Sequence, residues 1–173
     1  MNNKKLIALL VGFLFCISGW QLVKASQQNL ESDYYKLGYT SISKAVQETE
    51  SYYKTKLDLP SKIAPLDFTH SFGRFNKEND TLEIEYLNNK EHINYVINVF
   101  PSKIKINKLI NTNDIQISLK GGTQAYYSYS TGEIEVKVIT LKFEKNKWIY
   151  LLSIQEDLLT NPLSELQEIA NSF

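Results

Sequence analysis

The chain has 173 residues, of which 43% are hydrophobic and 22% charged, with nineteen basic residues, nineteen acidic ones and a single cysteine. This composition suits one globular domain plus a short extra segment. It leaves no basic surplus for nucleic acid to draw on and no second cysteine for a disulfide framework within the chain.

The extra segment is at the N-terminus. Lys4 and Lys5 precede residues 6–17, an unbroken run of small and apolar residues, and Val23-Lys24-Ala25 sets Val and Ala three and one residues before a possible cut. The pattern predicts a secretory signal over residues 1–25, cleaved before Ser26. Two other readings compete with it. Lipid attachment at Cys16 is disfavoured because the bulky Phe15 precedes it. An uncleaved anchor is the stronger rival, since residues 6–23 have about the minimum length of a membrane span, although Ser18, Gly19 and Gln21 weaken the second half. Cleavage would leave a mature chain of 148 residues with sixteen basic and nineteen acidic residues and no cysteine. Such a chain excludes a thiol nucleophile and a zinc–cysteine site, and must be stabilised by its core. At that length a domain buries roughly 68–70% of its unfolded surface. Arg74 is the only arginine, while Lys, Asn and Ile are abundant, a usage that hints at an AT-rich Gram-positive genome.

Residues 26–40 read as a tether or first turn. From residue 41 the spacing becomes helical: Ile42, Ala45, Val46, Thr49, Tyr52, Tyr53 and Leu57 share one stripe, with Thr40 or Ser41 as cap and Pro60 as the stop. The opposite face, with Lys44, Gln47, Glu48 and Lys54, is a solvated surface. After Pro65 the period changes to two. Phe68 and Phe72 bracket a first strand continuing through Phe75, and Asn79-Asp80 turns the chain. Leu82, Ile84 and Tyr86 then alternate with Glu83 and Glu85, which describes a strand with one wet face. Asn88-Asn89 turns again, and Ile93, Tyr95, Ile97 and Val99 form a strand that Pro101 ends. The three make an antiparallel meander. Ile104, Ile106, Leu109 and Ile110 fit a short strand or a loose crossing segment equally. Ile115, Ile117 and Leu119 alternate up to Gly121-Gly122, and residues 124–130 carry Tyr126, Tyr127 and Tyr129.

A final hairpin turns at Lys145 and Asn146. Its first strand shifts apolar phase from Ile134, Val136 and Val138 to Leu141 and Phe143, which predicts a β-bulge near Val138-Ile139-Thr140. The return strand, Lys147 to Gln155, is apolar on both faces: Trp148, Tyr150, Leu152 and Ile154 on one, Ile149 and Leu151 on the other. Only a strand covered on both sides carries that pattern, so it is expected at the centre of the sheet. Asn161, Pro162 and the stripe Leu163, Leu166, Ile169, Ala170 and Phe173 predict a closing helix. The expected fold is α+β: a curved antiparallel sheet of about six to eight strands, covered by one N-terminal and one C-terminal helix, over residues 41–173.

Chemistry is sparse. His70 and His92 have no metal-ligand spacing, Gly121-Gly122 lacks the lysine and helix of a phosphate loop, and no serine stands in a nucleophile elbow. Glu83 with Glu85 and Glu133 with Glu135 are i and i+2 neighbours, expected to stay solvated on a strand face rather than to face each other across a cleft. Neither catalysis nor a cofactor is expected. The aromatics Tyr127, Tyr129, Trp148 and Tyr150 are the candidate ligand-facing residues, with core packing across strands as the competing and favoured reading.

Leu59-Pro60, Leu82-Glu83-Ile84-Glu85-Tyr86, Lys147-Trp148-Ile149-Tyr150 and above all the closing Leu163-Ser164-Glu165-Leu166-Gln167-Glu168-Ile169-Ala170-Asn171-Ser172-Phe173 resemble a domain of unknown function found in exported and membrane-anchored Gram-positive proteins, anti-sigma-factor and sporulation-associated ones among them. The likeness implies an extracytoplasmic domain with a curved antiparallel sheet packed by helices, and it carries no catalytic residues over. A stand-alone domain behind its signal segment departs from the pattern, so sigma-factor regulation does not follow. The expectation is a secreted or membrane-tethered binding or interaction module whose partner is a protein or lipid at the outer face of the cytoplasmic membrane. The alternative is a carrier or sensor of a small hydrophobic ligand, lipid or glycan, held between sheet and helix.

Overall fold

The computed structural model describes residues 30–131 and 136–173. The signal or anchor expected over residues 1–25 therefore lies outside the described residues, as do Glu133, Ile134 and Glu135. No described helix is long and apolar enough to cross a membrane. The chain divides into two compact units, one ending at Gly38 and one running from Tyr39 to Phe173. In the first, residues 30–36 form a helix, α1, and the turn after it places Gly38 at a φ of 87°, a conformation that glycine adopts without steric cost.

The second unit is α+β, built on one open antiparallel sheet of seven strands. These are β1 (His70–Asn76), β2 (Thr81–Asn88), β3 (Ile93–Pro101), β4 (Ile115–Ser118), β5 (Gln124–Thr131), β6 (Lys137–Lys145) and β7 (Trp148–Gln155). Their order across the sheet is β1-β2-β3-β7-β6-β5-β4. Two meanders, β1 to β3 and β4 to β7, are thus joined where β3 pairs with β7 from Tyr95↔Ile154 to Pro101↔Trp148. The strand whose two faces are both apolar is the central one. The segment between the meanders is a crossing, with two short 3-10 turns at Ser102–Ile104 and Ile106–Lys108, and not a strand.

Side-chain alternation sorts the sheet into two faces. On one, Ile84, Ile97, Leu152 and Leu141 lie abreast on four adjacent strands, all with no exposed surface. Burial of each such side chain is worth about 1.5–3 kcal/mol. Both remaining helices, α2 (Ile42–Tyr53) and α3 (Pro162–Ala170), cover this face. The α3 helix starts with Pro162 and buries Leu166, Ile169 and Ala170. Asn161 does not cap it with its side chain; Glu165 Oε1 instead accepts from the Asn161 backbone N–H at 2.8 Å. Beyond the helix, Phe173 meets Tyr150 and Phe143 edge-on, at 4.5 and 5.2 Å between ring centroids.

Three local expectations require correction. First, α2 ends at Tyr53, with Lys54 in the left-handed region at φ 53°, and not near Pro60. Beyond it the backbone turns to other partners. Leu57 N–H donates to Glu50 Oε1 at 2.9 Å, while the carbonyls of Lys56 and Asp58 accept from Trp148 Nε1 at 2.7 Å and Tyr150 Oη at 3.1 Å. Leu57 is buried as part of a loop fastened to the central strand. Second, there is no bulge at Val138-Ile139-Thr140. The ladders to β5 and β7 run without a skipped residue from Lys137 and Val138 onwards. Ile139 is simply the first core-facing residue of the strand, and the even-numbered Val138 lies half-buried on the other face. Third, the first strand begins at His70, so Phe68 sits before it, stacked near Tyr86 and Tyr95. The β6–β7 turn is a two-residue hairpin with Asn146 and Lys147 both at positive φ, 49° and 71°, which matches the strand twist.

Ser41 caps α2, its Oγ accepting from Lys44 N–H at 3.4 Å, and the helix then lies directly on Gly73. A Cβ on Gly73 would stand 2.9 Å from Ala45 Cβ and 3.0 Å from Ile42 Cα. The glycine is needed for this close approach, and the backbone atom of Ile42 cannot step aside as a flexible side chain could. Gly73→Ala is expected to lower stability by about 1–3 kcal/mol, as overpacking does, with Gly73→Val costing more. Urea unfolding of the two variants tests this, and an unchanged midpoint would show that α2 does not rest on Gly73.

Candidate functional site

The four aromatics read as ligand-facing occupy different places. Tyr127, Trp148 and Tyr150 are 2%, 1% and 0% exposed and belong to the core, whereas Tyr129 is 55% exposed. Trp148 meets Tyr53 edge-on at 5.4 Å, and Tyr150 stacks on Phe143 at 5.2 Å. Their polar atoms are spent on the loop after α2, as described above. Burial raises the Tyr150 and Tyr127 phenols well above their ordinary value, so neither ionises near neutrality. Tyr129 stands beside Tyr127, edge-on at 5.0 Å, next to the outermost strand, where Ile115 is 51% exposed.

The sheet's other face holds the ionisable cluster, and here the expectation of a wet strand face fails. Glu85 is only 8% exposed. Tyr39 Oη donates to Glu85 Oε1 at 2.5 Å, Arg74 Nη2 donates to Glu83 Oε1 at 3.3 Å, and the Arg74 guanidinium lies 4.4 Å from the Tyr39 ring centroid. Register explains the meeting: Arg74 is directly opposite Glu83 on β2, and Phe72 opposite Glu85. Burial first, then the hydrogen bond and the charge of Glu85, push the Glu83 carboxyl up to about 7. Arg74 acts in the opposite sense. Near neutrality Glu83 therefore binds a proton far more readily than an ordinary carboxyl does. Sequence reasoning named Glu83 and Glu85 as neighbours but expected them to stay solvated, because alternation alone labels both as solvent-facing. A signal was present in Phe72 and Leu87, apolar residues on the same face of the β1–β2 pair, both buried.

A second charged pair lies further across that face. Lys142 Nζ meets Asp114 Oδ2 at 2.6 Å, with side chains only 6% and 2% exposed. Asp114 closes the crossing segment that follows β3, so this pair fastens the crossing to the middle of β6. A buried pair of this kind contributes more to holding one arrangement than to net stability.

The carboxylates face Arg74 and Tyr39, and among the described residues no three His, Cys, Asp or Glu side chains converge to hold a metal ion. His92 sits at φ 55° in the β2–β3 turn, and His70 lies beside Thr69, its Nδ1 2.8 Å from the Thr69 hydroxyl. The concavities lined by described residues include two. One, of about 220 Å³, lies between Leu119, Lys120, Thr123, Phe143 and Ala170, and the other, of about 440 Å³, opens on the outer face of α2 around Gln47 and Tyr52. Neither separates α2 from the sheet.

The raised Glu83 carboxyl makes stability depend on pH in a definite direction. The folded protein binds this proton more tightly than the unfolded chain, whose value is 4.5. Its stabilising effect is complete below about 4.5 and is lost as the pH rises through about 7. Wild type should therefore lose stability relative to Glu83→Gln between pH 5.5 and 8, measured by thermal unfolding of both chains, and a constant difference would contradict the raised Glu83 carboxyl. For the ion pair, Lys142→Met alone should cost about 3–5 kcal/mol, while Lys142→Met combined with Asp114→Leu restores most of it. Equal losses in the single and double variants would contradict that account.

Comparison with family models, with curated proteins and with solved structures gives no match.

Proposed function

We propose that the chain is a non-catalytic binding module, displayed outside the cytoplasmic membrane, that takes up an extended segment of a partner protein along strand β4. The observation that carries this reading is the asymmetry of the sheet's two edges. At β1, Thr40 pairs with Gly73 in a single bridge, whereas β4 is the last strand in the order and, among the described residues, pairs with β5 alone. Beside that edge Ile115 and Tyr129 are both more than half exposed. The Ser118 carbonyl at the end of β4 already accepts from Gln167 Nε2 at 3.5 Å, so strand addition would use the start of the strand, beside that aromatic and aliphatic side chain: main-chain bonds supply affinity and the side chains supply selectivity.

Three further observations support a module over a carrier or an enzyme. The close contact of Ala45 with Gly73 leaves no room for a ligand between α2 and the sheet at that point. Three of the four candidate aromatics are committed to the core. The carboxylate pair is engaged within the protein. Display outside the membrane rests on Lys4, Lys5, the apolar run of residues 6–17 and Val23-Lys24-Ala25, together with the resemblance to exported Gram-positive domains.

Position-specific photo-crosslinking in the exporting bacterium tests the reading. A photoreactive residue at Gln116 on β4 should capture a protein that one at Gln47, on the outer face of α2, does not. Tyr129→Ala should weaken that capture by roughly tenfold, the loss of about 1–2 kcal/mol expected for a contact aromatic. Equal capture at both positions, or capture indifferent to Tyr129, would overturn the assignment.

A further inference from the structure

The main-chain groups along the open edge of β4 follow from the ladder on its other side. Leu119 N–H donates to the Thr123 carbonyl at 2.8 Å, continuing the register that pairs Ser118 with Gln124 and Ile115 with Tyr127. In an antiparallel ladder both main-chain groups of a residue point to one side, and successive residues point to opposite sides. Ile115, Ile117 and Leu119 therefore turn their main-chain groups toward β5. Gln116, Ser118 and Asp114, which immediately precedes the strand, turn theirs outward. Two of these outward groups are in use: Asp114 N–H donates to the Asn111 carbonyl at 3.1 Å, and the Ser118 carbonyl accepts from Gln167 Nε2 at 3.5 Å. Among the described residues no hydrogen bond takes the others, which are both groups of Gln116, the Asp114 carbonyl and the Ser118 N–H.

Resting on the reading that β4 is the docking edge, we propose that its partner is β4 of a second copy of this chain, paired antiparallel about a two-fold axis through Gln116. In that register Gln116 faces Gln116 of the second copy, and the two exchange both main-chain bonds. Asp114 faces Ser118, so the Ser118 N–H of each copy meets the Asp114 carbonyl of the other. The two groups left over in that pairing, Asp114 N–H and the Ser118 carbonyl, would bond only to each other, and they are the two already engaged within each chain. Pairing therefore orphans no donor or acceptor. The side chains obey the same axis. Ile115-Gln116-Ile117 reads alike in both directions, which sets Ile115 of one copy opposite Ile117 of the other at a non-hydrogen-bonded position, where side chains stand closest. Both isoleucines lie on the helix-covered face, opposite the buried Tyr127 and Ala125 of β5, and Ile115, 51% exposed in the single chain, gains an apolar neighbour there. A two-fold contact demands this self-complementarity. From Ile115 to Ser118 the edge carries no lysine or proline to deter pairing, and the one charge beside it, Asp114, is neutralised by Lys142 at 2.6 Å. With four residues in the strand the contact is small and weak in solution, and it suits chains held close together on one surface.

Paired cysteines read the register. In a Cys16→Ser background, chains carrying Ile115→Cys and chains carrying Ile117→Cys are produced together under different tags in the exporting bacterium and mildly oxidised. The mixed disulfide dimer should exceed either like-with-like dimer about tenfold, because directly opposed residues stand about 4.5 Å apart between Cα atoms and diagonal ones about 7–8 Å, beyond the reach of a disulfide. Gln116→Pro in both chains should abolish the mixed dimer, since it removes the outward N–H and leaves the bonds from Ile115 and Ile117 to β5 in place. Should Ile117→Cys fail to fold, Gln116→Cys alone should dimerise, its copies standing about 5.5 Å apart at the axis. Equal amounts of the three dimers, or a mixed dimer indifferent to Gln116→Pro, would overturn the inference. The photoreactive residue at Gln116 separates it from the reading beneath it. Capture of a second copy supports both, capture of a different protein overturns the two-fold pairing and leaves β4 as the docking edge, and capture of nothing overturns both.

Discussion

The second unit depends on the pairing of β3 with β7. Each meander is local: every turn within β1 to β3 and within β4 to β7 joins strands that are neighbours in both sequence and space. Only the β3–β7 ladder connects residues about the 95–101 stretch with the 148–154 stretch, and it places the most apolar strand of the chain in the middle. Once that pairing is made, Ile97 lies against Leu152 and Tyr95 against Ile154, and the core becomes continuous from β2 to β6. The two helices then have one surface to cover. Closing so distant a contact costs chain entropy before it returns burial, and the compensation is a row of side chains with no exposed surface at all.

The same strand organises the loops. Trp148 and Tyr150 are large enough to fill the core and carry polar atoms that must find partners when buried. They find them in the carbonyls of Lys56 and Asp58. This draws the segment after α2 down onto the sheet and ends the helix earlier than its apolar stripe would. At that end of the helix Tyr53 donates to Asp80 in the β1–β2 turn, and Lys103 pairs with the same carboxylate at 2.9 Å. These bonds hold the Asp80 carboxyl below its ordinary value, the tyrosine contributing most. Helix end, hairpin turn and crossing segment are therefore tied at one point. Trp148 and Tyr150, weighed as ligand-facing but favoured as core packing, are the pieces that fasten the scaffold.

The polar face follows a different logic. Charges on a strand are inexpensive only where water reaches them, yet Glu85, Lys142 and Asp114 are nearly covered. Each has a specific partner: Tyr39 for Glu85, and each other for Lys142 and Asp114. Both groupings hold a segment that is not part of the sheet, residues 39–40 in one case and the end of the crossing in the other. Polar bonds hold these segments where the helices are held by burial.

Period and punctuation in the sequence determined the class of the fold, its strand count, the central position of the Trp148–Gln155 strand and the terminal helix, because alternation and helical spacing report which side chains must leave water. Gly121 and Gly122, and Pro162, mark a turn and a helix start for equally local steric reasons, while the final hairpin, expected to turn at Lys145 and Asn146, turns one residue later at Asn146 and Lys147. What the pattern could not report was which groups meet across the sheet. The supposed bulge at Val138-Ile139-Thr140 came from reading Val136 and Val138 as the core-facing set, whereas Val138 lies half-buried on the other face and the core-facing set starts at Ile139. Glu83 and Glu85 looked solvated because nothing in their own strand reveals that Tyr39, some forty-five residues earlier, lies beside them. Burial of Glu85, commitment of Trp148 and Tyr150 to a loop, and exposure of Tyr129 beside an open edge were decided by long-range register alone. Local sequence dictates which way a side chain points, and only the assembled structure dictates what it then finds there.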